Sequence, residues 1–216
     1  MTGRDVAILS VLAGVNGSGK SSVVGAYIVD AGRGVFNPDV VARVARDDDP
    51  GLSASEAARL AVRAWRDGFD RALREGACFS FETTLSGAGM RVALERAAGK
   101  GARVEVVYVG LASVELNIQR VASRAAAGGH DIPEADIRRR YGRSPENLRR
   151  LLPHLSIVRV LDNSEDNDPK QGRVPMPRLL LDVRDGVIVH ATDVAEVPDW
   201  AQAVVLEATR IWSTAS

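Results

Sequence analysis

Residues 9–22 read LSVLAGVNGSGKSS, and this stretch decides the fold. Gly14 to Ser21 fits the pattern G-x-x-x-x-G-K-[ST], which is typical of a loop that wraps around phosphate groups. Gly17 and Gly19 allow the positive φ angles that such a loop needs, so that successive backbone N–H groups point at one anion. Lys20 can reach the β- and γ-phosphates of a nucleotide, and the Ser21 hydroxyl can bind Mg²⁺.

The flanking segments support this interpretation. Val6 to Ala13 is an apolar run of the kind found in strands that are buried on both faces of a parallel sheet. Ser21 to Ala31 changes to helical spacing of its apolar residues. A chance Gly-rich turn before a helix explains the buried strand less well than a phosphate-binding loop does. The nucleotide-binding residues are therefore predicted to be Gly14, Val15, Asn16, Gly17, Ser18, Gly19, Lys20, Ser21 and Ser22.

Composition limits the remaining possibilities. The 216 residues are 45% apolar and 26% charged, which favours a packed α/β domain over a disordered chain. Lys+Arg and Asp+Glu are 28 each, and this balance argues against a nucleic-acid or membrane-surface binder. A single cysteine, Cys78, excludes an internal disulfide and fits a reducing compartment. We expect Cys78 to be a small buried residue of a strand and the protein to be cytoplasmic.

Asp39 is the first candidate catalytic carboxylate. Val35-Phe36 is predicted to be a short strand, and Pro38 disfavours helix at Asn37, so Asp39 lies where a strand turns into a helix. It is either a first-turn acid of that helix or a carboxylate at the carboxyl end of a parallel strand, where α/β sheets bind ligands. The residue pattern alone fits both interpretations.

A second polar cluster follows the predicted strand that begins at Cys78. Glu82, Thr84 and Ser86 lie at its carboxyl end. An acid at this position beside a phosphate loop suits a Mg²⁺ ligand or a substrate-positioning group. The alternative is a turn in which Thr84 or Ser86 caps the next helix, Met90 to Lys100. We favour the functional interpretation, because a cap alone does not need Glu82.

An Arg-rich region is predicted to form a lid over residues 125–145. Arg120 and Arg124 lie four apart on one face of a predicted helix. A Gly128-Gly129 break follows, and Pro133 then begins a helix with four arginines. Such guanidinium groups can neutralise a phosphoryl group in transfer, although a solvated basic face is an equal alternative for any single arginine. The four are Arg138, Arg139, Arg140 and Arg143.

The rest of the chain completes the predicted fold. Arg103 to Gly110 and Leu155 to Asp162 are expected to be core strands. Asp185-Gly186 between apolar runs predicts a hairpin, and a closing helix runs from Trp200 to Trp212. We predict a three-layer α/β/α P-loop NTPase fold with a mainly parallel sheet. It is expected to form one domain over 1–216, with its core at 5–162 and a hairpin plus helix at 175–214.

The chain resembles the zeta-toxin family of P-loop kinases, in its bacterial "predicted ABC-type ATPase" branch, from about Ile8 to Leu152. The resemblance rests on four segments in this order. They are the phosphate loop, Asn37-Pro38-Asp39, Glu82-Thr83-Thr84-Leu85, and Gly128-Gly129-His130-Asp131-Ile132-Pro133 with the arginines that follow.

The resemblance implies phosphorylation of a hydroxyl of UDP-N-acetylglucosamine by ATP. Lys20 and Ser21 match the residues that hold ATP and Mg²⁺, and Asp39 matches the general base. Glu82 and Thr84 match the motif that positions substrate and metal, and Ser86 stands where the family has an arginine. Arg120 and Arg124 match the first lid arginine, and Arg139 or Arg140 the second. Apart from this resemblance, His130 is interpreted as a turn residue or a substrate contact rather than a metal ligand, and it completes the predicted site residues.

Three functions remain open from the sequence. The first is a Mg·ATP-dependent kinase of a small-molecule hydroxyl, with a nucleotide sugar as the expected acceptor and an antitoxin protein as a partner. The second is a kinase of another nucleotide or of an antibiotic hydroxyl. The third is a nucleotide-hydrolysing switch ATPase, although the chain has no LSGGQ-like signature and no N-K-x-D motif. Neither nucleic acid nor membrane is expected as a partner.

Overall fold

The computed structural model describes residues 5–20, 34–126, 132–165 and 177–214. Strands and helices alternate along most of these segments. The strands are β1 (Ile8–Ala13), β2 (Cys78–Thr83), β3 (Arg103–Gly110), β4 (Ile157–Asp162), β5 (Arg178–Arg184), β6 (Val187–Ala191) and β7 (Ser213–Thr214). The helices are α1 (Pro38–Asp48), α2 (Ala54–Glu75), α3 (Ala88–Gly99), α4 (Val114–Ala126), α5 (Glu134–Leu151) and α6 (Asp199–Ile211).

Within the described segments, seven strands form one sheet in the order β2-β1-β3-β4-β5-β6-β7. The first four strands are parallel, and β5 and β6 continue the sheet in antiparallel pairing. Asp185 and Gly186 connect β5 to β6 with positive φ angles of 49° and 79°, as a tight hairpin turn requires. The α/β fold with its mainly parallel sheet and the hairpin are confirmed.

Apolar residues are buried on both faces of the parallel strands. Leu9 and Val11 of β1 join a large core to which α2, α3, α5 and α6 contribute. Leu12 of the same strand belongs to a smaller cluster with Val107, Val109 and Leu161. This alternation explains why β1 is almost continuously apolar in sequence.

Local signals fix the ends of α1 and α2. The Asn37 side chain accepts hydrogen bonds from the backbone N–H groups of Asp39 and Val40, so α1 begins at Pro38. Ser53 and Glu56, three positions apart, form a capping box at the start of α2. Asp39 is therefore a first-turn acid, as one of its two interpretations required.

The Arg-rich helix predicted after Pro133 is α5, and its two halves have different surroundings. Ile137 packs near its N-terminal end with Val121 of α4 and with Ile132, in a small separate cluster. Leu148 and Leu151 at the other end belong to the large core. One end of α5 is thus anchored in the body of the protein, and the other lies beside α4.

Two predictions at the open edge of the sheet were inaccurate. Val35-Phe36 forms no full strand: Phe36 makes a single parallel bridge to Phe81, with hydrogen bonds of 2.8 and 2.9 Å to Ser80 and Glu82. The prediction that Cys78 is buried was wrong, because Cys78 is exposed. It begins β2, which pairs with β1 on one side. On the other side, the only pairing among the described residues is the Phe36 bridge, farther along the strand.

Some predictions lie outside the described residues. These are the helix from Ser21 to Ala31, the Gly128-Gly129 break and His130. No helix within the described segments has both the length and the apolar character that a membrane crossing requires.

Candidate functional site

The Gly-rich loop lies at the carboxyl end of β1, between the ends of β2 and β3. Gly14, Gly17 and Gly19 have φ angles of 138°, 76° and 83°. A Cβ atom on Gly14 would lie 2.1 Å from the Val109 carbonyl oxygen, and one on Gly19 would lie 2.4 Å from Asn163 Nδ2. The loop therefore depends on glycine for its backbone angles and for its close approach to β3 and Asn163.

Two asparagine side chains hold the loop from outside. Asn163 Nδ2 donates to the Ser18 carbonyl at 2.9 Å, and Asn117 Nδ2 of α4 donates to the Asn16 carbonyl. Both asparagines are almost fully buried. Asn163 was missed from the sequence, although it directly follows β4 and the strand-end rule that selected Glu82 also applies to it.

Lys20 lies over the loop that precedes it. Its ammonium group donates to the Gly14 carbonyl at 2.8 Å and to the Val15 carbonyl at 2.9 Å. Burial lowers the pKa of Lys20 to about 8; the carboxylates of Glu82 and Asp39 oppose this shift, and the Arg124 guanidinium adds to it. The two predicted carboxylates thus act on the charge of the predicted phosphate-binding lysine.

Asp39 reaches this site through the Phe36 bridge. Because Phe36 pairs with Phe81, the chain that follows it emerges beside the carboxyl end of β2, close to Glu82. Asp39 and Glu82 line the same cavity as Lys20. Asp39 is therefore a first-turn acid of α1 that also lines the cavity at this edge of the sheet, and its catalytic role stays a prediction.

The segment after β2 is held by α5. Ser144 Oγ donates to the Thr84 carbonyl at 2.6 Å, and Asn147 Nδ2 donates to the Leu85 carbonyl at 2.9 Å. Leu85 is fully buried with a φ of 51°, an uncommon conformation for a branched residue. The helix-capping alternative for Thr84 and Ser86 does not occur, since their hydroxyls hydrogen-bond to each other at 2.9 Å and the cap residue of α3 is Gly87.

Three of the predicted arginines line the cavity. Arg120 donates to the Asn163 carbonyl at 2.7 Å, and Arg140 donates to Asn16 Oδ1 at 2.9 Å. Arg124 lines the cavity as well. Arg139 instead pairs with Asp136 at 2.7 Å and does not line it. Of the two positions proposed for the second lid arginine, Arg140 is the one at the cavity.

Lys20, the two carboxylates and the three arginines line one cavity of about 650 Å³. Its wall also contains apolar side chains that the sequence analysis did not assign to the site. Trp65 packs on Phe69 and Phe81 in the core, and it also lines the cavity. The lining residues are Asn16, Gly17, Gly19, Lys20, Asn37, Pro38, Asp39, Val62, Trp65, Glu82, Thr83, Thr84, Met90, Arg120, Arg124 and Arg140.

Several predicted site residues do not line this cavity. Ser86 was predicted to contact substrate, but its hydroxyl is paired with Thr84. The carbonyls of Gly14 and Val15 accept hydrogen bonds from Lys20, and Ser18 is fully buried. The predicted positions that lie outside the described residues are Ser21, Ser22 and His130.

Comparison with known protein families gives one match over most of the chain. The model of AAA_33, described as an AAA domain, matches residues 9–143, which include the loop, both carboxylates and the three cavity arginines. A protein from Haemophilus influenzae, itself uncharacterized, is 33% identical over 128 residues, covering 59% of this chain and 88% of its own length.

Solved structures share the fold at low sequence identity. The AvrRxo1-ORF1:ORF2 complex crystallised with ATP has a TM-score of 0.63 at 18% identity, covering 96% of this chain and 77% of the other. A structure from the PezAT chromosomal toxin–antitoxin system of Streptococcus pneumoniae has a TM-score of 0.58 at 14% identity, with 96% and 78% covered. The predicted α/β P-loop NTPase fold is confirmed.

Proposed function

Since this chain belongs to the AAA domain family AAA_33, we propose that it transfers the γ-phosphoryl group of ATP to a hydroxyl of a small molecule. One observation carries the proposal: Lys20, Asp39 and Glu82 converge on a single cavity that three arginines also line. Phosphoryl transfer needs positioning, charge neutralisation and a carboxylate near the acceptor, and this cavity has a residue for each task.

The loop and the arginines suit the triphosphate. Backbone N–H groups of a loop of this shape bind phosphate oxygens, and the Lys20 ammonium adds a positive charge beside them. Arg120, Arg124 and Arg140 can neutralise the charge that develops on the transferring group. The structural likeness to a complex solved with ATP is consistent with ATP as the donor.

Glu82 suits a magnesium ion, and Ser21 is the second proposed ligand. A carboxylate oxygen next to the phosphate loop is the kind of ligand that Mg²⁺ prefers. When bound, Mg²⁺ neutralises phosphate charge. Glu82 is also an electrostatic neighbour of Lys20, so the two side chains lie at the same end of the cavity.

Asp39 is the proposed general base. It would accept the proton of the acceptor hydroxyl while that oxygen bonds to the γ-phosphorus and the bond from this phosphorus to the β,γ-bridging oxygen breaks, so that ADP leaves. Asn37 holds the start of α1 through two backbone N–H groups, one of them that of Asp39 itself. The carboxylate is thereby presented from a capped helix end rather than from a loop.

The proposal also includes candidate acceptor molecules and a partner protein. The resemblance to zeta toxins implies a nucleotide sugar such as UDP-N-acetylglucosamine, and another nucleotide or an antibiotic hydroxyl are the other candidates. A toxin–antitoxin system among the structural neighbours is consistent with an antitoxin partner.

Transfer of labelled phosphate tests the proposed function. The full chain is incubated with γ-³²P-ATP, Mg²⁺ and a metabolite extract, and labelled organic products are separated from free phosphate. We expect an organic phosphomonoester with the wild type and a loss of about 10²-fold or more in Asp39→Asn, because the base is removed.

Asp47→Asn is the matched control, because Asp47 lies on the same helix and pairs on the surface with Arg43. It is expected to retain full transfer, and both variants are expected to bind ATP. Near-full turnover by Asp39→Asn would refute the role of Asp39. Label found only in inorganic phosphate would favour the switch ATPase instead.

A further inference from the structure

The cavity has an apolar wall opposite its arginines. Val62 and Trp65 of α2 and Met90 of α3 form this wall. The Trp65 ring centroid lies 4.9 Å from that of Phe69 and 5.5 Å from that of Phe81. Because Phe81 is fully buried in β2, the indole is supported by the core and forms a fixed surface.

Sheet order separates the two ends of the cavity. Arg120 and Arg124 come from α4, which follows β3, and Arg140 comes from α5, which packs beside α4. On the other side of β1, Trp65 packs on Phe81 of β2, and Asp39 follows the Phe36 bridge to the same strand, whose end carries Glu82. The cationic groups and the apolar wall therefore flank the phosphate loop from opposite sides.

We propose that the acceptor is a neutral or cationic alcohol with an apolar ring or hydrocarbon face. This inference rests on the proposed function. With the triphosphate on the loop and among the arginines, the acceptor contacts Val62, Trp65 and Met90 and presents its hydroxyl toward Asp39. Removing these apolar surfaces from water favours an apolar body, and fixed polar groups orient it. A second anionic group here would face the Asp39 carboxylate, which disfavours a nucleotide sugar among the candidate acceptors.

Binding of matched probes tests this inference. The full chain is saturated with AMP-PNP and Mg²⁺ and titrated, with ligand-observed NMR as the readout. Three probes share a phenyl ring and a hydroxyl and differ in charge: 3-phenylpropane-1,2-diol, cationic phenylalaninol and anionic 3-phenyllactate. Glycerol lacks the ring, and UDP-N-acetylglucosamine carries the anionic diphosphate. We expect the neutral and cationic phenyl probes to bind about tenfold more tightly than the other three.

Val62→Glu is the diagnostic variant because Val62 is 52% exposed, so that the change places a charge on the wall without entering the core. It is expected to weaken binding of the neutral phenyl probe about tenfold. Leu60→Glu is its control: Leu60 is 43% exposed on the same helix but does not line the cavity. This control is expected to leave binding unchanged.

Tighter binding of UDP-N-acetylglucosamine, equal binding of phenyllactate or glycerol, binding of no probe, or no effect of Val62→Glu would each overturn the inference. These results are distinct from failure of the proposed function. If AMP-PNP itself does not bind the wild type, the phosphotransferase proposal fails. If labelled phosphate enters a nucleotide sugar, that proposal stands and only this inference is wrong.

Discussion

Lys20 is the residue on which the electrostatics of the cavity depend. Its ammonium group is held by two carbonyls of its own loop, and burial weakens its hold on the proton. Burial removes the water that would otherwise stabilise the ammonium charge. A bound phosphate would supply an opposite charge beside it, so the interaction between Lys20 and phosphate is stronger here than it would be in water. This makes the nucleotide affinity sensitive to pH.

The pKa of about 8 predicts how ATP affinity changes with pH. Phosphate oxygens stabilise the charged ammonium, so the pKa of Lys20 is higher in the complex than in the free protein. Above pH 8 binding must therefore take up a proton. We expect ATP affinity to be independent of this group below pH 8 and to fall above it, by up to about tenfold per pH unit.

Isothermal titration calorimetry between about pH 6.5 and 9.5 measures this dependence, and buffers of different ionisation enthalpy report the proton uptake. Lys20→Arg is the control, because an arginine stays charged over this range and removes the pH effect. An affinity that is flat or rises above pH 8 in the wild type would contradict the shifted pKa.

At the scale of elements, α5 connects the two ends of the cavity. Arg140, Ser144 and Asn147 are spaced by four and three residues and therefore share one face of the helix. They donate hydrogen bonds to Asn16 Oδ1, the Thr84 carbonyl and the Leu85 carbonyl. One helix thus sets the separation between the phosphate loop and the segment that carries Thr84.

Two asparagines allow the ends of the cavity to be perturbed separately. Asn163 donates to the loop at Ser18, and Asn147 donates to Leu85 beside Thr84, both at 2.9 Å. Since each alanine variant leaves a carbonyl without its donor, both are expected to lower the free energy of unfolding by about 1–2 kcal/mol. Only Asn163→Ala is expected to weaken ATP binding, by about tenfold, because it loosens the loop.

Each variant serves as the control of the other. Denaturant unfolding gives the stability change, and calorimetric titration gives the ATP affinity. Equal losses of ATP affinity in the two variants would show that the ends of the cavity do not respond independently. In that case α5 would transmit the disturbance from one end to the other.

At the scale of the whole molecule, a chain with no net charge has a cavity lined by charged side chains of both signs. Lys+Arg and Asp+Glu cancel in the sequence, yet one cavity is lined by arginines from α4 and α5 and by the carboxylates Asp39 and Glu82. Composition does not reveal this arrangement, because it arises only when the sheet order brings distant segments together. The net charge of a chain says little about the field inside a cleft.

The sequence was most informative where its signals are local. The positive φ angles of Gly17 and Gly19 and the Asp185-Gly186 turn each depend only on neighbouring residues, and both occur where they were predicted. Predictions from the sequence failed where contacts between residues far apart in the chain determine the structure. The contact from Asn163 to Ser18 spans 145 positions, and the exposure of Cys78 follows from an edge position that only the sheet order reveals.

A crystal structure of the full chain with Mg²⁺ and AMP-PNP would test the central claim most directly. The account predicts a γ-phosphate oxygen within about 3 Å of Lys20 Nζ and the Asp39 carboxylate facing the γ-phosphate across the cavity. A triphosphate bound away from the Gly17–Lys20 loop, or an Asp39 side chain turned out of the cavity in that complex, would contradict it.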